Sequence, residues 1–217
     1  MSERRGRSAG IDVAILDYGM GNLRSVQKAF EVVGARARLV GSPPALGAAD
    51  AVVLPGVGAF ARCMENLGAA RLDTVVRDWV GAGRPFLGIC LGEQLLFEHS
   101  AEGDAEGLGL LPGAVRLLRA GPRCKVPHMG WNVVAPRPGS RLLTEPTRYY
   151  FVHSYYVEPA DPTQTTGTTT HGIEFASAVE FPGGAAVQFH PEKSGAHGLA
   201  LLARFLDAYV LAPSPVA

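Results

Sequence analysis

The 217-residue sequence predicts an α/β fold, an open, mostly parallel central sheet with flanking helices and antiparallel additions. Three observations carry this expectation. The N-terminal half alternates short apolar runs with stretches of helical periodicity, in the order β-α-β-β-α. Two of the apolar runs, Ala51-Val52-Val53-Leu54 and Phe86-Leu87-Gly88-Ile89, are unbroken, as suits strands covered on both faces. From Leu108 onward the runs become short, alternating and β-rich, with Gly, Pro, Asn and Thr between them.

The elements follow in order. Residues 11–16 read as a first strand, ending in Asp17-Tyr18-Gly19-Met20-Gly21-Asn22. Leu23, Val26, Gln27, Phe30 and Val33 keep helical spacing, and Gly34 closes that helix. Residues 36–40 read as a second strand, Pro43 and Pro44 break the chain, and residues 51–54 form a third. A helix is expected over about residues 72–81, a strand over 86–89, and a helix over 91–98 with Leu91, Leu95 and Leu96 inward. Residues 114–118, 131–134, 149–152 and 175–179 read as antiparallel additions. Residues 185–189 form a late strand, and Leu199, Leu202, Phe205 and Leu206 mark a last helix over about 197–210. No repeat or long linker divides the chain, so residues 11–212 are expected to form a single domain behind a flexible extension, residues 1–10.

Twenty basic residues balance twenty acidic ones, which offers no charged surface for nucleic acid or membrane. Cys63, Cys90 and Cys124 form an odd, sparse set without C-x-x-C spacing. That pattern points away from a disulfide framework or a zinc site and towards a reducing, cytoplasmic setting. No apolar run is long enough for a membrane span. Gly19 and Gly21 suggest a dinucleotide loop, but no third glycine follows and no ribose-binding acid stands after Val40. No metal and no cofactor is therefore expected.

The chemistry centres on Cys90. It lies between Gly88 and Gly92, at the junction of the 86–89 strand and the helix after it. This is the cysteine form of a nucleophile elbow, a turn so tight that the flanking positions must be glycine. A helix start at the sulfur favours thiolate, and the N–H of Leu91 is placed to hold an oxyanion. A plain buried core cysteine is the competing reading. A thiol nucleophile needs a base and an orienting group. His190 directly follows the late strand, and in extended chain Glu192 projects to the same side. Glu192 can then hold one imidazole nitrogen while the other faces the sulfur. Gly56, Val57 and Gly58 follow another central strand, so their backbone is expected at the same sheet edge to complete an oxyanion hole. Lys125-Val126-Pro127-His128-Met129-Gly130-Trp131-Asn132 carries residue types common at partner surfaces, and the aromatic-rich stretch 149–156 holds more tyrosine than a core strand requires.

Together these residues resemble the class I, triad-type glutamine amidotransferases. Gly88 to Gln94, Pro55 to Gly58 and Gln188-Phe189-His190-Pro191-Glu192 match that family's three signatures in the family's order. The match extends from about Val13 to Leu206. Glu93 stands where the family commonly has methionine. The resemblance implies a flavodoxin-like amidotransferase fold in which Cys90 attacks the amide of glutamine, His190 moves protons and Glu192 orients it. It implies glutamine contacts from Gln94, His153, Ser154 and Tyr155. The 17–23 and 125–132 stretches, and 150–155 with 190–195, resemble members that pass ammonia to a separate (β/α)8-barrel cyclase subunit of histidine biosynthesis, as a heterodimer. For such a partner Asn22, Trp131, Tyr150 and Lys193 are the candidate docking residues. The rival readings are an amidotransferase serving pyridoxal phosphate, GMP or anthranilate synthesis, a cysteine hydrolase on the same elbow, and a non-catalytic scaffold.

Overall fold

A computed structural model describes residues 10–121 and 124–212. The expected N-terminal extension, apart from Gly10, lies outside the described residues. The chain runs β1 (Asp12–Leu16), α1 (Leu23–Val32), β2 (Arg36–Val40), β3 (Ala51–Gly56), α2 (Phe60–Ala69), α3 (Leu72–Gly81), β4 (Phe86–Cys90) and α4 (Leu91–Gln94). Next come β5 (Phe97–Ser100), β6 (Ala105–Glu106), β7 (Leu111–Leu117), β8 (His128–Pro136), β9 (Thr147–His153) and β10 (Tyr155–Pro159). The order closes with β11 (Thr165–His171), β12 (Ile173–Phe181), β13 (Gly184–Val187) and α5 (Gly195–Phe205), which continues as a π-helical segment, Leu206–Leu211.

Strands β2-β1-β3-β4-β13 run parallel in that order. β12 lies antiparallel to β13, and the sheet continues through β10, β7, β5 and β6. β11 branches from β12 and leads through β8 to β9. The central strands β3, β4 and β13 are apolar and buried throughout because both faces are covered, whereas the edge strand β2 carries Arg36 and Arg38. Val13, Ile15, Val53, Leu87 and Ile89 pack with Val26 and Phe30 of α1 and Leu202 and Phe205 of α5. Ala14, Leu16, Val52, Leu54 and Phe86 pack on the opposite face with Phe60 and Leu67 of α2 and Val76 and Trp79 of α3. The register sets Gly56 beside Cys90, and Val187 beside Ile89. The carboxyl ends of β3, β4 and β13 therefore meet at one edge.

Three expectations need correction. The helix read over 91–98 is a single turn, Leu91–Gln94, after which the chain turns into β5. Leu95 and Leu96 are buried as expected, but their carbonyls are needed elsewhere: Leu108 N–H donates to the Leu95 carbonyl and Leu110 N–H to that of Leu96. The late strand stops at Val187, so Gln188 and Phe189 lie beyond it. Glu192 sits in a 3-10 turn, Pro191–Lys193, not in extended chain. The helix α2 and the strands β5, β6, β10 and β11 lie outside what the sequence patterns marked.

Candidate active site

Cys90 ends β4 with φ 56° and ψ −113°, a left-handed backbone that a residue with a Cβ rarely adopts. The two glycines make this turn possible. A Cβ at Gly88 would come within 2.8 Å of the Gly92 carbonyl oxygen, and one at Gly92 would lie 1.8 Å from the Leu54 carbonyl oxygen. The elbow is thus wedged against β3, and Cys90 stands at the strand end, 6% exposed.

β13 leads to His190, the candidate base. His190 Nδ1 lies 2.8 Å from Glu192 Oε1, and both side chains are 2% exposed. The backbone of His190 is held on both sides. Its N–H donates to the Tyr150 carbonyl at 2.9 Å, and the Ser194 hydroxyl donates to its carbonyl at 2.6 Å. That same hydroxyl accepts the Tyr150 N–H at 3.0 Å. Burial disfavours a charged imidazole here, but the neighbouring Cys90 sulfur and the Glu192 carboxylate outweigh it and lift the His190 pKa to about 10. Nε2 of His190 is buried and makes no hydrogen bond of ordinary geometry among the described residues, which leaves it for the sulfur and the reacting group.

A pocket of about 310 Å³ opens over the sulfur. Its walls include Val57, Gly58, Cys90, Leu91, Gln94, His153, Ser154 and Tyr155, so the expected oxyanion and substrate residues converge apart from Gly56. Gly56 lies underneath, where a Cβ would meet the Tyr18 hydroxyl at 2.8 Å and Leu91 Cβ at 2.9 Å. Its smallness lets β3 approach the elbow. The Val57 carbonyl accepts from the Cys63 thiol at 3.6 Å. In a trans peptide this turns the Gly58 N–H away from Cys63. Burial, more than any neighbour, pushes the Cys63 thiol up to about 11. Cys124 is also buried and donates to the His171 carbonyl at 3.3 Å, so neither thiol shares the elbow setting of Cys90.

Two site residues were not singled out from the sequence. Gln188 is fully buried; its Nε2 lies 3.7 Å from Cys90 Sγ, and its Oε1 accepts from Gln94 Nε2 at 2.9 Å. It belongs to the 188–192 signature, which was the available signal. Glu102 supplies a carboxylate to the pocket wall and also accepts the Phe60 N–H at 3.0 Å. Nothing in its local sequence marks it. Glu93, by contrast, is fully buried away from the pocket wall, and neither carboxyl oxygen has a hydrogen-bond partner among the described residues. Burial, then the charge of Cys90, pushes its pKa well above the usual carboxylate range, which favours the neutral acid.

The candidate docking residues gather around the His190 turn. Trp131 and Tyr150 are cross-strand partners with rings in edge contact at 6.2 Å. Lys193 is exposed on the turn after His190, which packs against both α1 and β9; Asn22 is exposed at the start of α1.

The family model described as glutamine amidotransferase class-I matches residues 14–208. Among curated proteins, the chain is 49% identical over 208 residues to "Imidazole glycerol phosphate synthase subunit HisH" of Aromatoleum aromaticum, covering 90% of this chain and 98% of the relative. It is 51% identical over 197 residues to the protein of the same name from Moorella thermoacetica, covering 89% and 93%. Among solved structures, a glutamine amidotransferase superposes with TM-score 0.70 at 19% identity, over 91% of this chain and 98% of that one. The structure titled PurLQS from Thermotoga maritima gives 0.69 at 20%, over 90% and 97%. At that identity the superpositions speak for the fold alone.

Proposed function

The chain belongs to the class-I glutamine amidotransferase family, and from that premise we propose that it is the glutaminase subunit of an imidazole glycerol phosphate synthase. The observation that carries the chemistry is the strained Cys90 elbow set against the buried His190–Glu192 pair. The identity with named synthase subunits along almost the whole length supports the choice of synthase.

Glutamine enters the pocket with its side-chain amide over Cys90. Both amide hydrogens of Gln94 are already engaged, one by the Tyr155 carbonyl at 3.0 Å and one by Gln188. Only its oxygen remains to accept from the substrate. Glu102, an acid in the wall, suits the α-ammonium group. The Cys90 sulfur forms a bond to the amide carbon. Backbone N–H groups of Leu91 and of the Val57–Gly58 segment hold the resulting oxyanion. His190 protonates the departing nitrogen, the C–N bond breaks, and ammonia leaves behind a thioester. Water, deprotonated by His190, then cleaves the thioester to glutamate and the free thiol. Glu192 holds the imidazole in register and favours its charged form.

The ammonia passes to a cyclase partner, a (β/α)8 barrel docked as a heterodimer over Asn22, Trp131, Tyr150 and Lys193. There it reacts with a phosphoribulosyl-formimino ribonucleotide to give imidazole glycerol phosphate and aminoimidazole carboxamide ribonucleotide. No helix among the described residues is long and apolar enough to cross a membrane. The three free thiols suit a reducing compartment, and we assign the cytoplasm. The test is Cys90→Ala in complex with a cyclase subunit. Glutamine-dependent product should vanish while added ammonia still supports the cyclase reaction. Glutamine-dependent turnover at the wild-type rate would remove Cys90 from its role.

A further inference from the structure

Three more histidines take no part in proton transfer: His153 in the pocket wall, His128 against it and His171 stacked on His128. The His128 ring stacks on Phe151 at 4.7 Å and on His171 at 4.1 Å, which fixes its plane. Hydrogen bonds then fix which nitrogen carries the proton. His153 Nδ1 is 2.8 Å from the Tyr155 carbonyl oxygen. A carbonyl only accepts, so Nδ1 bears the hydrogen and a neutral ring has a bare Nε2. That Nε2 lies 2.9 Å from His128 Nδ1, which must donate to it. His128 Nε2 is then bare in turn and accepts from the Asn132 amide nitrogen at 3.1 Å. The same amide donates to the Thr170 carbonyl at 3.0 Å, and its oxygen accepts the Val133 N–H at 2.8 Å, so its orientation is also set. Burial supports neutrality throughout, taking His128 down to about 4 and His153 to about 3.

The chain of donors reaches the substrate pocket. The Tyr155 carbonyl that ends it is the one that accepts from Gln94, and Gln94 leads on through Gln188 towards Cys90. We propose that His128 is a positioning residue for glutamine hydrolysis: through His153 it holds the Tyr155 carbonyl, and with it Gln94, in the orientation that presents Gln94 Oε1 to glutamine. This rests on the glutaminase reading. Without the His128 donor, His153 Nε2 would be a buried acceptor with no partner, and its ring would turn to find one. The Tyr155 carbonyl would lose its anchor.

Gln94 contacts substrate before and during the reaction, so its misplacement weakens binding more than chemistry. His128→Phe keeps the ring stack and removes the donor. In the complex with the cyclase subunit it should raise KM for glutamine about tenfold, with kcat within about twofold of wild type. His128→Asn places an amide N–H near the Nδ1 position and should recover most of the KM. An unchanged KM in His128→Phe, or equal impairment in both variants, would overturn the proposal. A second measurement needs no variant. Nitrogen-15 histidine spectra of the wild-type chain at neutral pH should show the Nδ1–H tautomer for both His128 and His153, and an Nε2–H tautomer at either would overturn it. A wild-type complex without glutaminase activity would instead overturn the functional reading beneath it.

Discussion

His190 and Glu192 share a hydrogen bond, but their tasks differ. In the proposed reaction His190 gives and takes protons at the reacting atoms, whereas Glu192 touches only the far nitrogen of the ring. His190→Ala should cost the roughly 100- to 10,000-fold typical of a positioned acid–base group. Glu192→Gln keeps an acceptor oxygen at the ring and should retain more turnover. The reverse ranking, measured as glutaminase turnover in the complex, contradicts this division. Glu93 carries a stability prediction. Its folded-state pKa is raised by burial and by Cys90, whereas an unfolded glutamate titrates near about 4.3. Below that pH both states hold the proton. As pH rises, the unfolded chain ionises before the folded one, so stability is progressively lost towards the folded pKa. Glu93→Met removes both the ionisation and the unpartnered polar atoms, each of which costs about 1–3 kcal/mol. Melting temperature should rise in the variant, by more at pH 8 than at pH 5. A lowered or pH-independent melting difference contradicts the buried-acid description.

At the scale of elements, the elbow and the loop after β3 respond differently to one added methyl. At Gly92 a Cβ would strike backbone, the Leu54 carbonyl, which cannot yield without parting β3 from β4. At Gly58, with φ 105°, the one close atom is the flexible end of Met20 at 2.7 Å. Gly92→Ala should therefore lower thermal stability by about 1–3 kcal/mol or more. Gly58→Ala should leave a folded protein whose glutaminase turnover falls about 100- to 1,000-fold, as for a lost oxyanion donor. A folded, fully active Gly92→Ala or an unimpaired Gly58→Ala would contradict the two assignments. These elements were legible in the sequence because their glycines and the apolar strands before them are local signals. α2 was not legible. Its N-cap, Ala59, has no capping side chain, and the carboxylate that accepts its first N–H belongs to Glu102, far along the chain. Arg71, left-handed at φ 56°, separates α2 from α3 where a glycine would have been visible. β11 was missed because it is polar: Thr166, Thr168 and Thr169 are buried despite their hydroxyls, and Thr169 pairs with Ser177 at 2.8 Å. The Cys90, His190 and Glu192 positions could be read from signatures, but Glu102 and the His128–His153 pair depend on distant strands meeting.

On the scale of the molecule, the two halves of the sheet supply different parts of one site. The parallel strands β3, β4 and β13 lead into the Val57–Gly58 loop, Cys90 and His190, the proposed oxyanion loop, nucleophile and base. The antiparallel strands supply the opposite wall, from Val152 to Tyr155. β8 alternates strictly: His128 and Val134 are buried, while Met129, Trp131 and Val133 are 63%, 47% and 44% exposed. An apolar stripe of that kind, next to the His190 turn, suits a partner subunit. Ammonia released to solvent would be wasted, so a glutaminase of this design is best kept slow until its acceptor is in place. A partner that binds the productive Val57–Gly58 backbone conformation more tightly would shift the population towards it. The most direct measurement follows glutamate release and imidazole glycerol phosphate formation in three mixtures: the chain alone, the chain with the cyclase subunit, and both with the ribonucleotide. The expected result is slow glutamate release by the chain alone, a rise in each later mixture, and product formed in amounts equal to glutamate in the last. Equal glutamate release in all three, or no imidazole glycerol phosphate from glutamine, would contradict a partner-driven glutaminase.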